Sequence, residues 1–212
     1  MASGMHVRLH THAVMGLIIL VSLPVATHAA DLRNDLARAR QLYNQRQYDK
    51  AIELAEDVAA ATEASDDADL IIARARLERF RVSAELLDLT TARERLRRIR
   101  PERLVADGRA EYVIGLGETR YSDRAPGAAA DLFETALAHR PQSPDARERI
   151  LDWWASAVDG DARPRSEIER QSSYQRIRDR MRDELAQNPA SASAAYWLAA
   201  AARDRKSTRL NS

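Results

Sequence analysis

The sequence predicts an all-α protein made of stacked antiparallel helix hairpins, and three observations support this fold class. Aromatic residues form only 5% of the 212 residues, and Gly and Pro number seven each, which favours helix over sheet. From Asp31 onward, apolar residues recur every three or four positions, as on one face of a helix. The helical segments also align with one another at similar offsets, and no segment has the alternating pattern of a strand.

The first 29 residues are expected to be a signal peptide. Arg8 precedes an apolar run, Ala13–Ala26, and the following Thr-His-Ala ends at Ala29, a small residue of the kind that signal peptidase favours. A run of about 14 apolar residues is shorter than the roughly 20 needed to cross a bilayer. The chain is therefore expected to be exported to the periplasm or beyond, with no membrane span after cleavage. An uncleaved anchor is the alternative.

Composition excludes several classes of function. The chain has 33 basic and 32 acidic residues, and removing Arg8 with the leader leaves 32 of each, so nothing attracts nucleic acid or anionic lipid in general. Cysteine is absent, which removes thiol catalysis and thiolate metal sites. His139 is the one histidine beyond the leader, and near a helix end it is expected to be solvated. We expect a non-enzymatic chain with no metal and no cofactor.

The first four helices are predicted from apolar stripes separated by polar breaks. In the first helix, Leu36, Ala39 and Leu42 share one face. An aspartate in the turn Glu63–Asp67 is expected to cap the third helix, and Pro101 follows the end of the fourth. The expected helices are Asp31–Arg46, one beginning at Tyr48, one from that turn to Leu87, and Thr90–Ile99.

The remaining helices follow the same pattern. A Pro- and Asp-containing segment, 141–145, starts the seventh helix, and Asp159–Ser166 is the longest break. Pro189 stops the eighth helix. The expected helices are Gly108–Tyr121, Pro126–His139, a seventh up to the long break, Glu167–Gln187, and a ninth that begins at Ser191.

The helices align in pairs, and one pair resembles a known repeat. Ala51, Ala92 and Ala129 each lie early in a second helix, 41 and 37 residues apart, near the ~34-residue period of that repeat. The segment Ala110–Ser143 resembles the tetratricopeptide repeat of exported bacterial proteins, and the resemblance extends less specifically over residues 31–204. The signature positions hold Leu116, Gly117, Ala129, Phe133, Ala136 and Pro141.

Gly115 and Gly117 could suggest a phosphate-binding loop, but such a loop needs more glycines and a preceding strand. The resemblance instead implies that Gly117 lets its helix approach the next one near Ala129, while Phe133 fills the gap to the following helix. Gly115 lies about 200° further around the helix and is expected to tolerate alanine.

The resemblance also implies a function. In this family the first helix of each hairpin lines a concave groove of a superhelix, so we expect a scaffold that binds a peptide or protein there. Arginines would bind carboxylates or phosphorylated groups, and tyrosines would supply rigid contact area. A solvated face without a ligand is the alternative for each residue. The groove candidates are Arg33, Arg40, Tyr43, Arg74, Leu77, Arg81, Glu111, Glu118 and Tyr121.

Three other motifs have a less specific interpretation. The arginine-rich segment Thr91–Arg103 could contact nucleic acid, but it lacks aromatic residues, and a solvated helix face is favoured. Asp159–Asp161 could contact a cation, but calcium needs more oxygen ligands at set spacing, so a turn is favoured. Of Trp153 and Trp154, at least one is expected in the core. No spacing selects a catalytic pair of carboxylates.

The end of the sequence suggests a second hypothesis. Residues 205–212 differ in composition from the alanine- and acid-rich segment before them, and we expect a disordered or artefactual tail there. The unit that begins at Ser191 lacks a second helix before this tail. The repeats could therefore be the non-catalytic portion of a longer enzyme or envelope-machinery protein.

Overall fold

The computed structural model describes residues 23–61, 65–139 and 143–210, of which 23–28 and 203–210 are described by backbone alone. Within these ranges the regular structure is entirely helical, so the predicted all-α fold is confirmed. One 3₁₀ turn, Pro101–Arg103, interrupts the series. The α-helices are α1 (Leu23–Asn44), α2 (Tyr48–Ala61), α3 (Asp66–Ser83), α4 (Leu86–Arg98), α5 (Ala106–Ser122), α6 (Pro126–Ala138), α7 (Pro144–Ala162), α8 (Glu167–Gln187) and α9 (Ala192–Leu210).

Helices that follow one another along the chain pack in adjacent pairs. The most extensive contacts join α1 to α2, α3 to α4, α5 to α6 and α8 to α9, and α2 and α6 each also pack on the helix that follows. The first helices of successive hairpins touch as well, α3 against α5 and α7 against α9. The array is therefore a stack of hairpins in which each hairpin is covered by its neighbours. The predicted fourth pair is looser, because α8 packs more on α9 than on α7.

The boundary between α3 and α4 differs from the prediction. The sequence predicts that the third helix continues to Leu87, but α3 ends at Ser83. Ala84 takes the left-handed conformation (φ 56°), and its N–H donates to the Phe80 carbonyl oxygen at 2.8 Å. Because no glycine marks this left-handed stop, the apolar pattern alone carries the predicted helix too far. As a result α4 begins earlier than predicted, at Leu86.

The cap of α3 also differs from the prediction. Ser65, not an aspartate, is the N-cap residue, and its hydroxyl oxygen accepts from the Ala68 N–H at 3.1 Å. The neighbouring carboxylate of Asp66 is used elsewhere, because it accepts from the Arg100 backbone N–H at 3.0 Å. This bond fixes the end of α4 against the start of α3.

The predicted leader and tail lie partly outside the described residues. The helix α1 begins at Leu23, inside the predicted leader, and the leader's residues 1–22 are not described. Pro141 of the repeat signature is not described either. The backbone of α9 stays helical to Leu210, into the segment 205–212 for which the sequence predicts a disordered tail. Among the described helices, none has the length and hydropathy of a membrane span.

The core consists of three apolar clusters that follow one another along the array. The first joins α1, α2 and α3, and it includes Ile71. The second joins α3 to α4 around Leu70 and Leu96. The third extends from α5 to α9, and its largest fully buried side chains are Phe133 and Trp154. Because α3 contributes residues to both the first and the second cluster, it joins the first hairpin to the second.

Gly117 lies where α5 crosses α6, and the space beside it is filled by Phe133. A Cβ atom added at Gly117 would lie 2.6 Å from Cε1 and 2.9 Å from Cζ of Phe133. Gly115 is also buried, since a Cβ there would lie 3.2 Å from Leu96 Cδ2. The expectation that Gly115 tolerates alanine freely is therefore not supported, because its face of α5 packs on α4 and α3 rather than facing solvent.

We expect Gly117→Ala to lower the free energy of unfolding by about 1–3 kcal/mol through overpacking, and Gly117→Leu to lower it further. Phe133 has no space to move into, since it is fully buried. Thermal melts followed by circular dichroism measure the effect.

The matched control is Gly108→Ala in the same helix. A Cβ at Gly108 would lie 3.4 Å from Leu104 Cβ, an ordinary contact. Alanine there should be neutral or should stabilise the helix by up to about 1 kcal/mol. Equal melting temperatures for Gly117→Ala and the parent would show that α5 and α6 do not pack this closely.

Candidate functional site

An open cavity of about 640 Å³ extends across the first helices of four successive hairpins, α1, α3, α5 and α7. This cavity, called the groove below, is also bounded by the turn between α1 and α2 and by the start of α7. Small residues on α5 and α7, Ala110 and Ala146, leave room between the helices. Its charged and aromatic lining includes Arg40, Tyr43, Glu78, Arg81, Glu111 and Arg149.

The groove includes four of the nine residues that the sequence predicts for it. These four are Arg40, Tyr43, Arg81 and Glu111. The predicted first helices are therefore the ones that line the cavity. The remaining five candidates do not line it. They are Arg33, Arg74, Leu77, Glu118 and Tyr121.

Arg74 is not a groove residue because it lies in the core between α3 and α5. Its guanidinium group donates from Nε to Glu111 Oε2 at 3.0 Å and from Nη1 to Glu118 Oε1 at 2.6 Å. The side chain of Arg74 is only 4% exposed and that of Glu118 only 8%. Two predicted ligand-binding side chains are thus partners of each other.

The charges around Arg74 explain the direction of two pKa shifts. Burial alone would lower the pKa of the Arg74 guanidinium group, but nearby Glu118 and Glu111 hold it well above its ordinary value. Burial raises the pKa of the Glu118 carboxyl group, and Arg74 opposes this rise. Glu78 and Glu111 add to the rise because they place further negative charge nearby.

The first hairpin contributes two tyrosines, Tyr43 and Tyr48, next to these charges. Tyr43 of α1 is buried, and burial is the main cause that raises the pKa of its phenol. Its ring lies 5.9 Å from that of Tyr48, at the start of α2. At the groove surface, Arg81 donates to Glu78 Oε2 from Nη2 at 2.9 Å. The groove floor is therefore a set of paired charges and aromatic rings.

The other three candidates lie apart from the groove. Leu77 is part of the second apolar cluster. Tyr121 is half-buried, and its ring packs edge-on against Trp153 at 5.3 Å. Arg33 is exposed and donates to the Ala29 carbonyl oxygen at 3.1 Å. An offset along a helix selects a face, but it does not show how deeply the neighbouring hairpin covers that face.

Sequence reasoning missed most of the groove lining, including the side chains of Arg46, Tyr48 and Arg149. Arg46 and Tyr48 belong to the turn between helices and to the start of a second helix, where the family pattern places no groove position. Arg149 lies on the first helix of the fourth hairpin, for which no candidates were assigned. The same offsets applied to that hairpin could have suggested Arg149.

Three of the six arginines in the segment Thr91–Arg103 form ion pairs within the protein. Arg95 pairs with Asp69 and Arg100 with Asp66, both on α3 of the same hairpin. Arg93 pairs with Asp123, which follows α5 in the next hairpin. These pairs support the interpretation of α4 as a solvated helix face.

The acidic segment Asp159–Asp161 is helical, so the predicted turn is wrong. It forms the end of α7, which continues to Ala162. Asp159 accepts from the Tyr174 hydroxyl at 2.8 Å, and Asp161 accepts from Arg165 at 2.6 Å. Within the described ranges, no group of three potential ligand residues is placed to hold a metal ion. Trp154 is fully buried, as expected for at least one tryptophan of this pair.

No family model matches this sequence, and no curated protein matches it either. The tetratricopeptide resemblance therefore stays a prediction from the residues quoted above.

We expect Arg74→Met to lower the free energy of unfolding by about 3–5 kcal/mol near neutral pH, because it leaves the Glu118 carboxylate buried without its partner. The loss should shrink in acid. Without Arg74 the pKa of Glu118 rises further, so below about pH 4.5, the ordinary carboxyl value, both proteins contain the neutral acid. The difference then grows as the pH rises through the two folded-state pKa values. Urea denaturation at several pH values measures it.

Two variants serve as controls for this prediction. Arg182→Met removes an arginine that is 56% exposed and whose partner Asp179 is 57% exposed, and it should cost less than about 1 kcal/mol. Arg74→Met combined with Glu118→Leu removes both buried charges and should recover much of the lost stability. If Arg74→Met were no more costly than Arg182→Met, the pair would not be desolvated in the way described.

Proposed function

We propose that this chain is an exported, non-enzymatic scaffold that holds a peptide or an extended segment of a partner protein in the groove. One observation carries the proposal: a single cavity crosses the first helices of four successive hairpins. A site that contacts several consecutive repeats is suited to a ligand that is itself extended.

The size and lining of the groove support a binding role. Its volume of about 640 Å³ lies within the ~300–1,000 Å³ typical of ligand sites in proteins. Tyr43 and Tyr48 supply aromatic surface on one side, and the small side chains of Ala110 and Ala146 leave space on the other. A peptide could therefore pack against rigid rings while its polar groups meet charged side chains at the rim.

The buried charges support a scaffold role rather than a chemical one. Arg74 and Glu118 are buried next to the groove, and they bond to each other inside the wall. Such pairing holds α3 and α5 in fixed positions. The groove thus has a rigid wall and a polar surface, which is an arrangement that binds a ligand without a reacting group. The tetratricopeptide resemblance agrees with this proposal.

To test the proposal, we would screen labelled decapeptides of mixed composition against the chain by fluorescence polarisation. We expect Ala146→Trp to weaken binding at least tenfold, because the indole ring would fill the groove. The control is Ala128→Trp. Both alanines are the third residue of a helix that begins with proline, but Ala128 is exposed and lies outside the groove lining. Equal affinities for the two variants would contradict the proposal.

Export is a separate part of the proposal. Expression of the full-length chain in a Gram-negative host should yield a periplasmic protein that begins at Ala30, because cleavage is expected after Ala29. Cell fractionation and mass spectrometry of the intact protein measure both outcomes. A full-length chain found in the cytoplasm would exclude export.

A further inference from the structure

One large apolar side chain of the groove lining is exposed to water. Val105 is 68% exposed and lines the groove. The other large apolar side chains that are this exposed, among the described residues, lie outside the groove lining. They are Val82, Leu86, Leu87, Ile168 and Tyr196. Val105 therefore offers a ligand in the groove apolar surface that folding has not already buried.

Val105 also occupies a backbone position that ordinarily favours a different residue. It is the N-cap residue of α5, and its side chain makes no bond to the first turn. Serine fills this position in α3, α7 and α8, where its hydroxyl oxygen accepts from a backbone N–H of the first turn. Valine cannot accept such a bond and is among the least favourable N-cap residues. Local preferences of this kind are broken chiefly at functional or strained sites.

The aliphatic residues of the lining come from one side of the groove, which α5, α6 and α7 form. Ile114 and Ile150 line the groove and belong to the third apolar cluster, so this cluster reaches the groove surface. Ala110 and Ala146 contribute only methyl groups to the same lining, which leaves space for a ligand. The side formed by α1 and α3 instead has charged, amide and aromatic side chains.

The charges of the lining balance one another. Glu78 pairs with Arg81 at 2.9 Å, and Glu111 accepts from Arg74 at 3.0 Å. Charge complementarity therefore favours a ligand segment without net charge, and its affinity has to come from apolar contact. The described lining contains four arginines and four carboxylates, which are Arg40, Arg46, Arg81, Arg149, Glu78, Asp107, Glu111 and Asp145.

We propose that Val105, Ile114 and Ile150 form an apolar subsite of the groove that binds an aliphatic side chain of an extended segment without net charge. This inference rests on the proposed function and names the side-chain class that the groove selects. Alternate side chains of an extended peptide point to opposite faces. One aliphatic side chain can therefore enter the subsite while its neighbours along the chain stay in water.

Two labelled peptides test the inference with the full chain by fluorescence polarisation at about pH 8, where histidine is neutral. Both are uncharged serine–glycine decapeptides with blocked ends. One carries leucine at three alternate positions, and the other carries asparagine there, which has a similar size without aliphatic surface. We expect the leucine peptide to bind at least about tenfold more tightly. This preference should change less than about twofold between about 0.05 M and 0.5 M salt, because it does not depend on charge.

Val105→Ser should reduce the leucine preference at least about threefold and also stabilise the protein. Serine removes apolar surface from the groove, and it supplies the cap that α5 lacks, so the melting temperature should rise by about 2–4 °C. Val105→Ile keeps the aliphatic surface and should keep the preference. If Val105 had only a structural role, Val105→Ser would lower the melting temperature and leave the preference unchanged.

The matched control is Val82→Ser. Val82 is also a strongly exposed valine near a helix end, but it lies in the last turn of α3 and outside the groove lining. Serine there removes the same apolar surface without supplying a cap, so it should neither change the preference nor raise the melting temperature. An equal loss of preference in Val82→Ser would overturn the subsite, because leucine would then bind to exposed apolar surface in general.

The outcomes separate the inference from the proposed function. Equal binding of the leucine and asparagine peptides, with both lost in Ala146→Trp, would overturn the apolar subsite and leave the groove as a peptide site. The same conclusion would follow if neither peptide bound while decapeptides of mixed composition did. If no peptide of either kind bound, both the subsite and the proposed function would be overturned. Circular dichroism verifies that each variant keeps its helical content.

Discussion

A guanidinium group that is removed from water has to be neutralised within the protein, and at Arg74 this requirement fixes how α3 lies against α5. Glu111 and Glu118 are one α-helical heptad apart on α5, so both carboxylates face the same side and reach one guanidinium group. The register between the second and third hairpins is therefore set by directional bonds. Apolar packing alone would permit the helices to slide by a turn. The groove depends on this register, because Glu111, which accepts from Arg74, is one of its lining residues.

A second constraint is the need for small residues, glycine and alanine, where the helices of a hairpin touch. Gly117 leaves the space that Phe133 occupies. Ala51, Ala92 and Ala129 are fully buried in three second helices. Small residues at these points let helix axes approach, and large residues fill the gaps between hairpins. The same division of roles along the chain produces a repeating architecture without a repeating sequence that is easy to recognise.

Much of this fold could be predicted from periodicity, because the apolar stripe of a helix is a local property of the sequence. Most helix ends could also be predicted where a proline or a serine cap marks them. The end of α3 could not be predicted, since Ala84 adopts a left-handed conformation without the glycine that usually indicates it. For the candidate site, the sequence predicted the helices that line the groove but not most of the residues on them that do so. Burial of Arg74 and exposure of Arg149 depend on what the adjacent hairpin places opposite them, which is a tertiary property.

The packing of each helix mainly on those that follow it has a consequence for how the chain folds. Contacts between sequence neighbours close only short loops, so the entropy lost before a hairpin forms is small. Proteins dominated by such contacts fold in microseconds to milliseconds. The three apolar clusters also follow one another in sequence order, and α3 is shared by the first two. Folding can therefore begin in more than one cluster and spread through the shared helix. The first hairpins of a chain that becomes available from one end can therefore assemble before its last helix does.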